Sequence, residues 1–169
     1  LAPQRWWSWV HTGGVWLLVL LAGNLLVWAV QQAQLQGTAW ASVIYLVASV
    51  VVLLGLAQAS LYVSQGSMRD SWPLDRFAYA YLWRAAMPLA VMVALGALLV
   101  AVYSDGNAKP LPYVPLLNPT DITVALALAV CTGWLVRLRR CDLAVPPGLM
   151  GARWTLLLAG LGFVALNTV

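Results

Sequence analysis

The sequence predicts an all-α fold, a polytopic transmembrane bundle of about five spanning helices with its N-terminus in the cytoplasm. Hydrophobic residues make up 63% of the 169 residues and charged residues only 8%, whereas soluble domains contain about 45–50% and about 25%. Nine basic and five acidic side chains cannot cover the surface of a soluble globule of this size. The apolar residues must therefore face lipid or one another.

Five stretches are long enough to cross a bilayer, which requires about 20 mostly apolar residues. They are residues 12–30, 40–63, 82–103, 119–138 and 152–169. None shows the in–out alternation of a membrane β-barrel. We assign residues 1–169 to a single transmembrane domain. Because the chain starts without Met and stops inside an apolar run, we expect it to be a segment of a larger polytopic protein, whose remaining helices would be its partners.

The basic residues predict the orientation, because they are concentrated in alternate loops and cytoplasmic loops carry an excess of Lys and Arg. The turn between the first two spans, residues 31–39, carries no charge. The N-terminal end and two later loops are therefore assigned to the cytoplasm. The arginines in or beside those two loops are Arg69, Arg76, Arg84, Arg137, Arg139 and Arg140.

These six arginines are candidate contacts for anionic lipid headgroups or for a phosphorylated ligand. The alternative is that they only set the topology. Topology also accounts for the net charge of +4, so we expect no nucleic-acid partner. The bilayer is the expected partner, and a small-molecule or lipid ligand is compatible with the sequence.

Three residues are candidates for a substrate path. Asn24 lies in the middle of the first span, where a polar group needs a partner on another helix or lines a path. Pro88 should kink the third span. Asp121 lies in the first turn of the fourth span, behind the N-cap Asn118 and Pro119, so capping and the helix dipole explain it. The alternative for Asp121 is a cation or proton site.

Helix contacts are predicted from small and aromatic residues. Ala125, Ala129 and Gly133 form a small-residue stripe that would suit close packing of the fourth span. Trp134 lies deep in that span, so we expect it to pack inside the bundle. Trp83 lies beside an inner boundary, where indole rings usually anchor at the headgroup level.

Signatures of an enzyme are missing from the sequence. It contains one histidine, His11, and no glutamate, and it shows neither a Gly-rich phosphate loop nor an HExxH motif. Cys131 and Cys141 lack metal-binding spacing. We therefore assign no catalytic residue, no metal and no cofactor, and consider enzymatic activity the less favoured class.

The proline-rich segment before the fourth span resembles a known family. Its residues 111–121, LPYVPLLNPTD, are similar to the "LPYLPLLNPLD" stretch of bacterial predicted membrane proteins known as domain of unknown function 2339, with Val114 and Thr120 in place of Leu. Residues 162–167, GFVALN, resemble that family's "GFxWLN", with Ala165 in place of Trp. The resemblance covers about the last two thirds of the chain. It implies a many-spanned envelope protein, which we expect in the bacterial inner membrane, and no particular activity.

Three functions remain open. The first is transport or flipping of an envelope-related or lipid-like molecule. The second is a structural or assembly scaffold in the membrane, since ionisable groups inside the spans are scarce. The third is a membrane enzyme that acts on a lipid-linked substrate.

The orientation predicts the result of a reporter fusion. A reporter that is active only in the periplasm, fused after Arg140, should be silent because that loop is assigned to the cytoplasm. Activity of this fusion would overturn the orientation.

Overall fold

A computed structural model describes residues 2–64, 76–104, 108–112, 114, 117–140, 156 and 159–160. The described regular structure is entirely helical. Helix α1 spans Ala2–Gln32 and α2 spans Ala39–Ser64; a π-helix, Ala80–Ala85, leads directly into α3, Ala86–Tyr103, and α4 spans Pro119–Arg140.

Within the described residues, four stretches of helix are long and apolar enough to cross a membrane: Trp6–Gln32, Ala39–Gln58, Ala80–Tyr103 and Pro119–Arg140. They coincide with the first four predicted spans, so the all-α transmembrane prediction is confirmed. The fifth predicted span, residues 152–169, lies outside the described residues except for Leu156, Ala159 and Gly160, which are helical.

Helices α2, α3 and α4 pack together as the core. Leu53, Val50 and Val93 are its largest fully buried side chains. Alanines such as Ala97 and Ala127, both completely buried, let the helix backbones approach, as is usual where lipid provides no hydrophobic force between helices. Half of the apolar window of α4 is buried (50%), which makes α4 the central helix of the described part.

Helix α1 lies at the edge of this core. Only 6% of its apolar window is buried, and leucines such as Leu18 and Leu25 are more than 60% exposed. Its contacts are mainly with the π-helix and, to a lesser extent, with α2. The core can therefore be treated as three helices, with α1 packed loosely beside them.

The predicted small-residue stripe of α4 is wrong for the described part of the chain. Ala125, Ala129 and Gly133 are all exposed. The buried face of α4 instead includes Ala127, Cys131, Trp134 and Leu138. All three helices contribute both large and small side chains to the core.

A seam of hydrogen bonds and rings joins the π-helix and α3 to α4. The Ala86 N–H bonds to the carbonyls of Tyr81 and Trp83, whereas a regular α-helix would direct it to Leu82. The Trp134 indole N–H donates to the Leu82 carbonyl at 3.0 Å, and its ring stacks on Trp83 with centroids 6.3 Å apart. Trp134 thus packs inside the bundle, as predicted.

Trp83 differs from its prediction. It is 8% exposed and belongs to the core, rather than anchoring at the membrane boundary. The physical reason is the aromatic partner from α4, which buries a large apolar ring that the sequence only placed near an interface.

The ends of the helices lie at two opposite ends of the bundle. The arginine end contains the start of α1, the end of α2, the π-helix and the end of α4; there Arg84 bonds to Ser8, and Arg137 bonds to Gln58. The proline end contains the turn 33–38, the end of α3 and residues 108–112; there the Trp40 indole N–H donates to the Lys109 carbonyl at 2.8 Å.

The Trp134 seam generates a stability prediction. Trp134→Phe keeps an aromatic ring but removes the N–H that binds the Leu82 carbonyl, so the free energy of unfolding should fall by about 0.6–1.5 kcal/mol. Trp28→Phe is the matched control, because Trp28 is 59% exposed. Steric trapping in lipid nanodiscs measures the free energy of unfolding of both variants. Equal stability of the two variants would show that the Trp134 hydrogen bond does not stabilise the bundle.

Candidate functional site

The side chain of Arg84 is the centre of the candidate site. Arg84 is half-buried, and its guanidinium carbon lies 4.3 Å from the centroid of the Trp9 ring and 5.2 Å from that of Tyr79. Its Nη1 donates to the Ser8 hydroxyl at 3.2 Å. We call Ser8, Trp9, Tyr79 and Arg84 the Arg84 cradle.

The cradle exists because α1 reaches back to the π-helix. Ser8 and Trp9 are in the first part of α1, and Tyr79 and Arg84 lie at and within the π-helix. Two aromatic faces stabilise a guanidinium through cation–π attraction, about 0.5–2 kcal/mol for each ring depending on exposure. They hold the cation in place while leaving its positive charge unneutralised.

His11 makes a second contact between the same two elements. Its Nδ1 lies 2.9 Å from the Tyr81 hydroxyl, and its ring centroid lies 4.2 Å from that of Phe77. The imidazole is half-buried. This contact fixes the base of α1 against the π-helix, one turn away from the Arg84 cradle.

The other predicted headgroup contacts do not share the environment of Arg84. Arg137 donates to the Gln58 side-chain oxygen at 3.0 Å and so links α2 to α4. Arg76, Arg139 and Arg140 are exposed at the arginine end. Arg69 lies outside the described residues.

The three predicted path residues are not brought together. Asn24 is exposed on α1, and Pro88 is half-buried in α3 just after the π-helix. Asp121 is half-buried in the first turn of α4 at the proline end, about 20 Å along the helix axes from Pro88 at 1.5 Å per residue. Any path would have to connect them over most of the bundle length.

Local structure accounts for Pro88 and Asp121. Pro88 cannot donate a backbone hydrogen bond to the carbonyl of Arg84 one turn earlier, and the structure places the π-helix at this point. In α4, the Asn118 side-chain oxygen accepts from the Thr120 N–H at 3.4 Å, and Asn118 is buried. The predicted N-cap is present, and Asp121 follows it in the positive end of the helix dipole.

Sequence reasoning identified Arg84 but missed its partners. The sequence pattern gave no role in a site to Ser8, Trp9 or Tyr79. Aromatic residues on both sides of a basic residue were visible, yet their approach depends on the π-helix, which rotates residues 80–85 relative to a regular helix.

The described residues contain no group of three or more His, Cys, Asp or Glu side chains that could hold a metal ion. The absence of a metal site from the whole chain therefore stays a prediction.

The fold and the site together define a helical membrane protein with a cationic site at one end of its bundle. A comparison with protein families matches residues 1–169 to the family described as "Predicted membrane protein (DUF2339)". The chain belongs to this family. The match confirms the resemblance and extends it from the last two thirds to the whole chain. No curated protein and no solved structure matched the chain.

Proposed function

We propose that this chain is part of a multi-pass protein of the bacterial inner membrane that binds a lipid-like molecule at its arginine end and transports or flips it. The observation that carries this proposal is the Arg84 cradle. It presents a half-buried guanidinium to the membrane boundary with no carboxylate at ion-pair distance among the described residues.

The chemistry of a guanidinium favours a phosphate-containing headgroup. Arg carries five N–H donors, and within the described part of the chain Ser8 is the only hydrogen-bond partner of Arg84. The remaining donors form a fork that matches phosphate oxygens. A charge that is partly removed from water is stabilised by an anion, and anionic lipid is the most abundant anion at this depth.

The loose packing of α1 supports a ligand that arrives from the bilayer. Side chains along α1, including Leu17, Leu21 and Leu25, are exposed beside the core. Acyl chains can therefore lie against α1 while the headgroup reaches Arg84 between the first turns of α1 and the π-helix. Such a ligand need not leave the membrane to enter the site.

Substitution of Arg84 tests the binding step. In phosphatidylcholine nanodiscs containing dioctanoyl phosphatidylglycerol, Arg84→Gln in the full-length protein should weaken retention of the anionic lipid about tenfold or more, because a hydrogen-bonded charge pair is lost. Arg84→Lys should retain part of the lipid binding, because it keeps the positive charge. Native mass spectrometry measures the bound lipid.

Lys109→Gln is the control for net charge. It removes one positive charge at the proline end, where Lys109 is exposed. If Lys109→Gln lowers lipid retention as much as Arg84→Gln does, binding depends on overall charge, and the proposal of a specific site at Arg84 is wrong. Transport is measured separately as dithionite quenching of fluorescent phosphatidylglycerol in proteoliposomes; retention without flipping would limit the function to binding.

A scaffold is the second candidate, favoured by Asn24. Its amide is exposed on α1 near the middle of the predicted span and has no hydrogen-bond partner among the described residues. In hydrocarbon, an unpaired amide is costly, so a helix from elsewhere in a larger assembly would be a suitable partner. The enzyme alternative rests on Asp121, whose position capping already explains.

A photo-crosslinking amino acid at position 24 of the full-length protein tests the scaffold in native membranes. If the scaffold is correct, position 24 should crosslink to a peptide from another transmembrane helix, because a polar partner lies beside it. Position 51 is the control, since Val51 is exposed on α2. Crosslinks from position 24 to lipid alone would contradict the scaffold.

A further inference from the structure

The proline end contains a cavity that the Arg84 site does not involve. It lies beneath the turn that joins α1 to α2, between the first turns of α2 and the last turn of α3, and has a volume of about 470 Å³. Small-molecule sites usually occupy about 300–1,000 Å³. The polar residues that matter for its chemistry are Gln36, Thr38, Ser42, Tyr45 and Tyr103.

The lining offers both donors and acceptors. The Gln36 side-chain amide donates to the Tyr45 hydroxyl at 3.3 Å, so the phenolic proton of Tyr45 is still available. The Thr38 hydroxyl donates to the Leu35 carbonyl at 2.6 Å, which leaves its oxygen as an acceptor. Ser42 is half-buried, and its hydroxyl has no partner in the part of the chain that the structure describes.

The described part of the same lining carries no charged side chain. None of the described residues around the cavity is Asp, Glu, Lys, Arg or His. The cavity also lies between the N-terminal end of α2 and the C-terminal end of α3, whose dipole fields have opposite signs and partly cancel. A charged ligand would lose hydration without gaining a counter-charge.

A purely apolar ligand is also unsuitable, because it would leave the hydroxyl and amide groups without partners. Apolar contact is nevertheless available from Leu99 and Val100 and from the tyrosine rings. The Tyr103 side chain is 81% exposed, so its ring face is open to a ligand. The ligand class that fits both features is a neutral molecule that carries several hydroxyl groups and one apolar face.

We propose that this cavity binds a neutral sugar ring, carried either by a glycolipid headgroup or by a free glycoside. The hydroxyls of the sugar would pair with Ser42, Tyr45 and Gln36, and its C–H face would pack on a tyrosine ring. This site goes beyond the proposed function, and its ligand differs from the anionic lipid of the Arg84 cradle. Each site can therefore be present without the other.

Binding is tested with the full-length protein in phosphatidylcholine nanodiscs. The probes are dioctanoyl glucosylglycerol, methyl β-glucoside and, as a headgroup control, dioctanoylglycerol. Ser42→Ala and Tyr45→Phe should each weaken glucosyl binding about two- to tenfold, since each removes one hydrogen bond. Native mass spectrometry and calorimetry measure the affinity.

Ser49→Ala is the matched control for Ser42→Ala. Ser49 lies two turns further along the same helix, outside the lining, and its hydroxyl donates to the Tyr45 carbonyl at 2.9 Å. It should keep glucosyl binding close to that of the unmodified protein. Fold integrity of every variant is checked by its thermal unfolding in the same nanodiscs, so loss of binding is separated from loss of structure.

The outcomes distinguish the sources of the sugar. Binding of both glucosyl probes supports recognition of the ring itself, and binding of the glucosyl lipid alone supports a glycolipid headgroup. Equal binding of dioctanoylglycerol, no saturable binding of either glucosyl probe, or equal affinities for Ser42→Ala and Ser49→Ala would overturn the proposal. Retention of phosphatidylglycerol is measured separately. A failure of the sugar site is therefore distinguishable from a failure of the Arg84 cradle.

Discussion

The requirement that every backbone polar group inside a bilayer finds a partner within the protein organises the start of the third span. The π-helix redirects the Ala86 N–H away from Leu82, and the Trp134 indole supplies a donor to the Leu82 carbonyl from the neighbouring helix. One side chain thus ties the irregular start of the third span to the central helix. The stack of Trp83 on Trp134 fills the same place with apolar volume.

The position of the Arg84 cradle depends on the contact between the π-helix and α4. Because the π-helix is held by α4, its outer side presents Arg84 and Tyr81 to the first turns of α1. Helix α1 is attached there and at its turn into α2, while most of its length remains exposed. The arginine end carries Arg84 and Arg137, both half-buried, and the exposed Arg76, Arg139 and Arg140. At the proline end, the described lining of the cavity carries no charged side chain. The two ends therefore offer different chemistry to a ligand.

Individual residues show how far sequence reasoning reaches. Asn118 and Asp121 were interpretable locally, because a helix cap depends on residues within one turn. The burial of Trp134 was predictable from its depth within the fourth span. Trp83 was misassigned, since its burial depends on a ring from another helix, and the stripe around Ala129 was assigned to contacts that the structure makes with the opposite face of α4. Neighbours in space, rather than neighbours in sequence, decided these cases.

The sequence by itself determined that this is an all-helical membrane protein, where four of its spans lie, and which residue types lie near their ends. Those properties depend on length, hydropathy and short-range capping, which are sums over adjacent residues. Only the tertiary structure decided which helix faces are buried, that α1 packs loosely, and that Trp9 and Tyr79 flank Arg84. It also decided that a cavity forms beneath the turn between α1 and α2, with no charged side chain in its described lining. These depend on helix rotation and register, and one π-helix changes both without altering the composition of the chain.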